Sequence, residues 1–362
     1  MFQMWLSLYV LNAIAVASVS SLEFYKGVRY PWATKEVPQC STDACPSEAN
    51  YTWDFYFDKI LGLGAKSFVF DGYALNGSEI VKYPPFYPSW DEKTFDSLHQ
   101  RTSGRSGHIM VRLARFYDTH VDEAALTRNT RSFLKKYPVD GFVISTDVDD
   151  SPTEWHSAFK ALKRLGLDVG FELDSTSWET LRKTGIPQKA DINFVALFPD
   201  YHYDIRRFNT DDFAKEAIMN ATRARAKAES IILRVPLLAR ATYDSSDVGY
   251  SEMIYDLNAD PEGNGSVIFD QTTMDGFYFF SQTRAVDKIS VARLSVPLGY
   301  FLSLLFSGFE HKAPVDRTKP LFSDNRFNRF GSSAVGSVRI STSLVYSLAA
   351  FYYLISFYEL RC

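Results

Sequence analysis

Apolar and polar residues follow two rhythms along this chain. Short apolar runs of strand length recur at Phe24 to Tyr30, Ser67 to Phe70, Ile109 to Ala114, Gly141 to Asp147, Val169 to Leu173, Ile192 to Phe198, Ile231 to Leu237 and Leu298 to Leu305, and they predict strands. Between most of them the apolar period lengthens to that of a helix. Trp155, Phe159 and Leu162 share one helical face behind Ser151-Pro152-Thr153-Glu154, and Phe213, Ala217 and Ala221 share another behind Asn209-Thr210-Asp211-Asp212. Both leading segments are good helix starts. Strand followed by helix, repeated, predicts parallel strands joined by crossover helices. Eight such strands predict an α/β fold, a (β/α)8 TIM barrel whose functional residues stand at the carboxyl ends of the strands. No internal repeat, low-complexity stretch or linker divides the body.

The two ends break this rhythm. Residues 1–20 form an apolar run closing in small residues, the layout of a secretory signal peptide, although no Lys or Arg precedes the run. A membrane-spanning helix is the competing reading, and the run is short for one. A second apolar run, Leu344 to Tyr358, follows the small residues Gly331-Ser332-Ser333-Ala334 and a polar spacer. That is the layout of a glycolipid-anchor signal, against a last domain helix or a short single-pass anchor. The expected organisation is a signal peptide at 1–20, the barrel at 21–312, a polar linker carrying the anchor site at 313–333, and the anchor signal at 334–362. It implies a secreted protein held at the cell surface through a membrane glycolipid.

Cysteine usage fits that route. Cys40 and Cys45 can close a small disulfide ring, and Cys362 falls in the tail to be removed. A metal pair is the rival reading, but no further Cys or His stands at ligand spacing. Acceptor sequons at Asn50, Asn76, Asn220 and Asn264 are compatible with secretion. The net charge of −4 is spread over interspersed signs, so nucleic acid is not an expected partner. Histidines are scattered, and no His-Glu-x-x-His set or phosphate-cradling loop is present; no metal or cofactor is expected. Ser103-Gly104-Arg105-Ser106-Gly107 reads as a loop before the third strand rather than a nucleophile elbow. Aromatic residues make up 15 % of the chain; most belong to a core, yet sugar-binding surfaces also need exposed ring faces.

One strand carries the most information. In Val139-Asp140-Gly141-Phe142-Val143-Ile144-Ser145-Thr146-Asp147-Val148-Asp149, alternation puts Val143, Ser145 and Asp147 on one face and Phe142, Ile144 and Thr146 on the other. It resembles the signature strand of glycoside hydrolase family 18, the chitinase family, which reads Asp-Gly-x-Asp-x-Asp-x-Glu. Further segments are similar to that family in the right order. Gly27-Val28-Arg29-Tyr30-Pro31-Trp32-Ala33 resembles its first strand, Asn193 through His202 its sixth, and Leu233 through Arg240 its seventh. Val248-Gly249-Tyr250-Ser251-Glu252-Met253 resembles a small insertion between strands seven and eight, and Pro297-Leu298-Gly299-Tyr300 the start of strand eight.

The resemblance implies substrate-assisted catalysis. A Glu ending strand four would protonate the glycosidic oxygen, and a neighbouring Asp would orient the substrate's 2-acetamido group as it attacks. A strand-six Tyr and a strand-eight Trp would complete the sugar subsite. In this chain the acid position is Asp147, a methylene shorter than Glu and short of hydrogen-bond reach. The orienting position is Ser145, without charge, and the first motif Asp is Val143. The strand-six Tyr is Pro199. The last Trp in the chain is Trp178, so Leu304 falls where the floor ring would stand. The resemblance therefore implies a catalytically degenerate chitinase-like protein that binds N-acetylglucosamine-type glycans, such as chitooligosaccharides, without cutting them. Trp32, Tyr73, Asp147, Asp200, Tyr201 and Arg240 are the expected contacts, from their places at strand ends. Two other readings stand beside it: a weak or altered glycosidase using Asp147, Asp149 or Asp150, and a surface scaffold for protein contacts.

Overall fold

The computed structural model describes residues 24–28, 53–62, 65–83, 90–115, 120–145, 152–174, 177–198, 204–236, 238–243, 247–255, 257–295 and 303–307. In chain order the elements begin with strand β1 (Phe24–Val28), helix α1 (Trp53–Gly62) and the hairpin β2 (Ser67–Asn76) and β3 (Glu79–Lys82). Then come α2 (Glu92–Ser103), β4 (Ile109–Arg115), α3 (Glu123–Lys136), β5 (Gly141–Ser145), α4 (Pro152–Lys163) and β6 (Asp168–Leu173). Next are α5 (Trp178–Thr184), α6 (Ile186–Lys189), β7 (Ile192–Ala196), α7 (Asp211–Arg223) and β8 (Ile231–Pro236). The chain continues through β9 (Leu238–Ala241), β10 (Asp247–Gly249), α8 (Tyr250–Tyr255), β11 (Ser266–Asp270), β12 (Asp275–Phe279), α9 (Gln282–Ser295) and β13 (Ser303–Ser307).

The main sheet is curled and mostly parallel, with helices on its outer side. Its order is β1-β13-β8-β7-β6-β5-β4-β2-β3, and β1 also pairs with β2. Only β3 is antiparallel, paired along the far half of β2 through a turn at Gly77, whose φ is +57°. Parallel strands covered on both faces read as near-continuous apolar runs, which is the pattern these segments show. Side chains on the outer face join the helices in a large core that includes Phe68, Phe70, Val111, Phe142, Ile144, Phe171, Val195 and Leu233. Those on the concave face form a smaller cluster of Tyr25, Val69, Met110, Val143, Phe194 and Ile232. Gly170 completes that layer, because a Cβ there would stand 3.1 Å from Phe194 Cε2 and 3.2 Å from Val143 Cγ2.

The helices expected from the apolar period are present, and the start of α7 is built as the sequence requires, while Ser151 lies outside the described residues. Thr210 Oγ1 accepts from the Phe213 N–H at the start of α7, and Asp122 Oδ1 accepts from the Ala125 N–H at the start of α3. Trp155, Phe159 and Leu162 on α4 are buried, as are Phe213, Ala217 and Ala221 on α7.

One strand expectation is corrected, and the seventh strand is met to within a residue. The last strand lies at Ser303–Ser307 rather than Leu298–Leu305. The expected seventh strand ends at Pro236, and Leu238–Ala241 opens a separate sheet of order β10-β9-β12-β11. This antiparallel sheet is the insertion between the seventh and eighth parallel strands. One of its faces packs with Met253 and Ala259 in a core of its own, while Tyr278 and Ile268 join the main core. Asn209 Nδ2 ties the two together by donating to the carbonyls of Gly265 and Phe279, each at 2.8 Å.

Candidate functional site

The Asp140-Gly141 pair that opens β5 is structural. Asp140 Oδ2 accepts from the Ile109 N–H at 2.7 Å, pinning the start of the neighbouring strand. A Cβ on Gly141 would lie 2.3 Å from the Asp168 carbonyl oxygen, so only glycine lets β5 and β6 approach. Beyond it the strand alternates as expected. Phe142 and Ile144 enter the helix-side core, and Val143 enters the concave cluster.

One step further along five of the strands the concave face changes from apolar to polar or charged. The period of two converts Val69 to Asp71, Met110 to Arg112, Val143 to Ser145, Gly170 to Glu172 and Ile232 to Arg234. These side chains meet. Arg112 Nη2 donates to Ser145 Oγ at 2.6 Å, and Arg112 Nε donates to Glu172 Oε2 at 2.6 Å. Arg234 Nη1 pairs with Glu172 Oε1, and Arg112 Nη1 stands 3.5 Å from Asp71 Oδ1. The register explains the meeting, since Ser145 lies opposite Glu172 on the next strand. Both Glu172 oxygens are thus engaged by guanidinium groups. A carboxylate so held cross-links β4, β6 and β8 and is not free to deliver a proton. Ser145 lies against a cation and offers it a neutral acceptor rather than an anion.

The other expected contacts fare differently. Tyr73 is a correction: it is buried among Trp90, Phe133 and Tyr137 in the helix-side core, 4.9 Å between ring centroids from Trp90. Its cause is a bulge in β2. The register with β4 slips by one residue between Phe70 and Tyr73, at Gly72 with φ +110°. The extra residue turns Tyr73 to the face opposite Asp71. Burial pushes its phenol well above the ordinary tyrosine range.

Arg240 is also buried, on β9 rather than on a parallel strand. Its guanidinium lies 3.7 Å from the centroid of the Phe198 ring, a cation–π contact that joins the inserted sheet to the end of β7. Leu304, expected beneath a sugar, pairs with Leu233, whose side chain belongs to the helix-side core. Leu305 is the residue opposite Arg234. Asn220, read as a glycosylation site, is buried on α7 and accepts from Arg223 Nη1, so this fold offers it no room for a glycan. Asn76, at the end of β2, and Asn264, in the bend before β11, are exposed. Trp32, Asp147, Asp200, Tyr201, Cys40, Cys45, Asn50 and the two chain ends lie outside the described residues. Among the described residues no group of three or more His, Cys, Asp or Glu could hold a metal ion. No described helix is long and apolar enough to cross a membrane.

Asp71, Arg112, Glu172 and Arg234 were not singled out from the sequence, yet each left a mark there. Each is a lone charged residue inside an apolar strand: Phe-Val-Phe-Asp, Met-Val-Arg-Leu, Gly-Phe-Glu-Leu and Ile-Leu-Arg-Val. A charge inside a strand covered on both faces needs a partner, and four such strands within one sheet point to one shared network.

No protein-family model matches the sequence, and no curated protein does. Solved structures do. A glycoside hydrolase family 18 N-acetylglucosaminidase from Paenibacillus barengoltzii superposes with a TM-score of 0.55 at 10 % identity, over 81 % of this chain and 97 % of that one. A chitinase from Bacteroides thetaiotaomicron gives 0.51 at 13 %, over 79 % of this chain and 90 % of that one. The second catalytic domain of the group II chitinase of Ostrinia furnacalis gives 0.51 at 12 %, over 78 % and 89 %. At such identities the likeness is one of backbone, and the chain has a chitinase-like fold.

Proposed function

We propose that this chain is a family 18-type (β/α)8 barrel that has lost hydrolysis and binds N-acetylglucosamine-type glycans at the carboxyl ends of its parallel strands. The observation that carries the reading is the Arg112–Ser145 hydrogen bond within the Arg112–Glu172–Arg234 bridge. Substrate-assisted hydrolysis needs carboxylates on this face to orient an acetamide and balance a cation. Here Val143 is packed among apolar side chains and Ser145 is bonded to a guanidinium. A positioned acid–base group is worth about 10²–10⁴ in rate, and losing its neighbours as well leaves little for Asp147 to act with. The fold likeness to chitinases supports a sugar as ligand at the corresponding strand ends.

The test pairs binding with turnover. Chitooligosaccharides should bind the protein by titration calorimetry, with affinity lowered in Trp32→Ala, while release from chromogenic chitooligosaccharides stays at the level of buffer. Turnover that disappears in Asp147→Ala would replace this reading with the altered-glycosidase one. Absence of any chitooligosaccharide binding would favour a scaffold for protein contacts.

A further inference from the structure

We propose that Asp71 and Arg112 together read two adjacent free hydroxyls on a neutral sugar, Asp71 accepting from one and Arg112 Nη1 donating to the other. This rests on glycan binding at the concave face, as proposed above, and adds which groups of the sugar are recognised. The bulge in β2 sets up the pair. Phe70 lies opposite Val111 and Tyr73 opposite Leu113, so Asp71 and Gly72 both face the single residue Arg112. Bulges recur beside functional sites, where they re-aim side chains. This one leaves a carboxylate next to a guanidinium.

What each group still lacks defines the ligand. Arg112 commits Nε to Glu172 and one Nη2 hydrogen to Ser145, at 2.6 Å each. Those bonds fix the plane of the guanidinium and leave both Nη1 hydrogens as donors. Asp71 makes no hydrogen bond among the described residues. Its Oδ1 stands 3.5 Å from Arg112 Nη1, beyond the N–H···O range of about 2.7–3.2 Å. The Asp71 side chain is 24 % exposed and that of Arg112 30 %, so a ligand meets the two alike. Asp71 and Glu172 balance the charges of Arg112 and Arg234. A charged ligand group here would meet a like charge whichever its sign, whereas a hydroxyl both donates and accepts. Hydroxyls on neighbouring ring carbons present the matching donor and acceptor side by side. A secondary amide does not, because its trans plane points N–H and C=O to opposite sides. In a β-1,4 chain of N-acetylglucosamine only the non-reducing end ring keeps adjacent hydroxyls, at C3 and C4. In a β-1,4 glucose chain every ring keeps them, at C2 and C3.

Two matched pairs of sugars titrated into the full-length protein test this. One pair is chitotetraose with and without its terminal C4 hydroxyl, the other cellotetraose with and without its C2 hydroxyls. In the pair that binds, the intact sugar should bind roughly tenfold more tightly than its deoxy form, the effect of one hydrogen bond to a charged group. In Asp71→Asn the intact sugar should fall to the level of the deoxy form, whose own affinity stays unchanged, because the lost hydroxyl and the lost charge belong to one contact. Binding of the cellotetraose pair alone, with that dependence on Asp71, keeps the inference and overturns the N-acetylglucosamine reading. Equal binding of intact and deoxy sugars overturns the inference and leaves glycan binding standing. A substitution that weakens both members of a pair alike overturns the assignment to Asp71. Failure of all four sugars to bind overturns both proposals. Should Asp71→Asn fail to fold, the matched pairs on the unaltered protein still decide.

Discussion

At Gly141 a single hydrogen atom decides whether two strands can lie side by side. The Asp168 carbonyl occupies the place of a β-carbon, and Asp140 next door holds the Ile109 N–H. Gly141→Ala is expected to cost about 1–3 kcal/mol, the usual toll of forcing atoms into a packed site, read as a lowered denaturation midpoint with unchanged slope. The Asp-Gly that signals a catalytic strand is therefore kept by packing, independently of catalysis. Two residues beyond Val143, the Ser145 hydroxyl accepts from Arg112, so the position that the resemblance reads as a carboxylate holds a neutral acceptor here.

Among the elements, the inserted sheet differs most from its expectation. The strand expected at Ile231 to Leu237 ends at Pro236, and Arg240, expected at a strand end of the parallel sheet, lies on β9 instead. Two of the sheet's attachments are polar: Arg240 over Phe198, and the Asn209 amide on the carbonyls of Gly265 and Phe279. Asn209 is buried, and its removal takes one hydrogen bond from each of two carbonyls, of which that of Gly265 keeps the Phe279 N–H. Asn209→Ala should lose about 1–3 kcal/mol, and hydrogen exchange should rise first in residues 265–279. If protection falls evenly over the whole chain instead, Asn209 is not the joint between the two sheets.

Over the whole molecule, stability is set chiefly by the helix-side core, and that core contains titratable groups. Tyr73 is raised by burial, and Tyr137 beside it is raised by the same cause. The ordinary phenol ionises near pH 10. Above that pH the unfolded chain releases protons that the folded chain keeps, so ionisation favours unfolding. Stability from Tyr73 is therefore complete below about pH 10 and lost as pH rises further. Tyr73→Phe is expected to flatten the decline of the urea midpoint between about pH 9 and pH 11. An unchanged decline would assign the alkaline loss to other groups.

The sequence alone determined the order of strands and helices, the helix starts, the outward and inward faces of β5, and the likeness to chitinases. All of these are local, resting on apolar period, capping chemistry and short motifs that act within a few residues. The tertiary structure decided what depends on neighbours distant in the chain. A one-residue bulge at Gly72 turned Tyr73 from a ligand contact into a core residue. A break after Pro236 moved Arg240 off the parallel sheet. Pairing of β4, β5, β6 and β8 brought Arg112, Ser145, Glu172 and Arg234 to one depth. In sequence these are lone charges in apolar strands, tens of residues apart. Only the folded register puts a guanidinium beside Ser145, because opposite charges meet where strands place them.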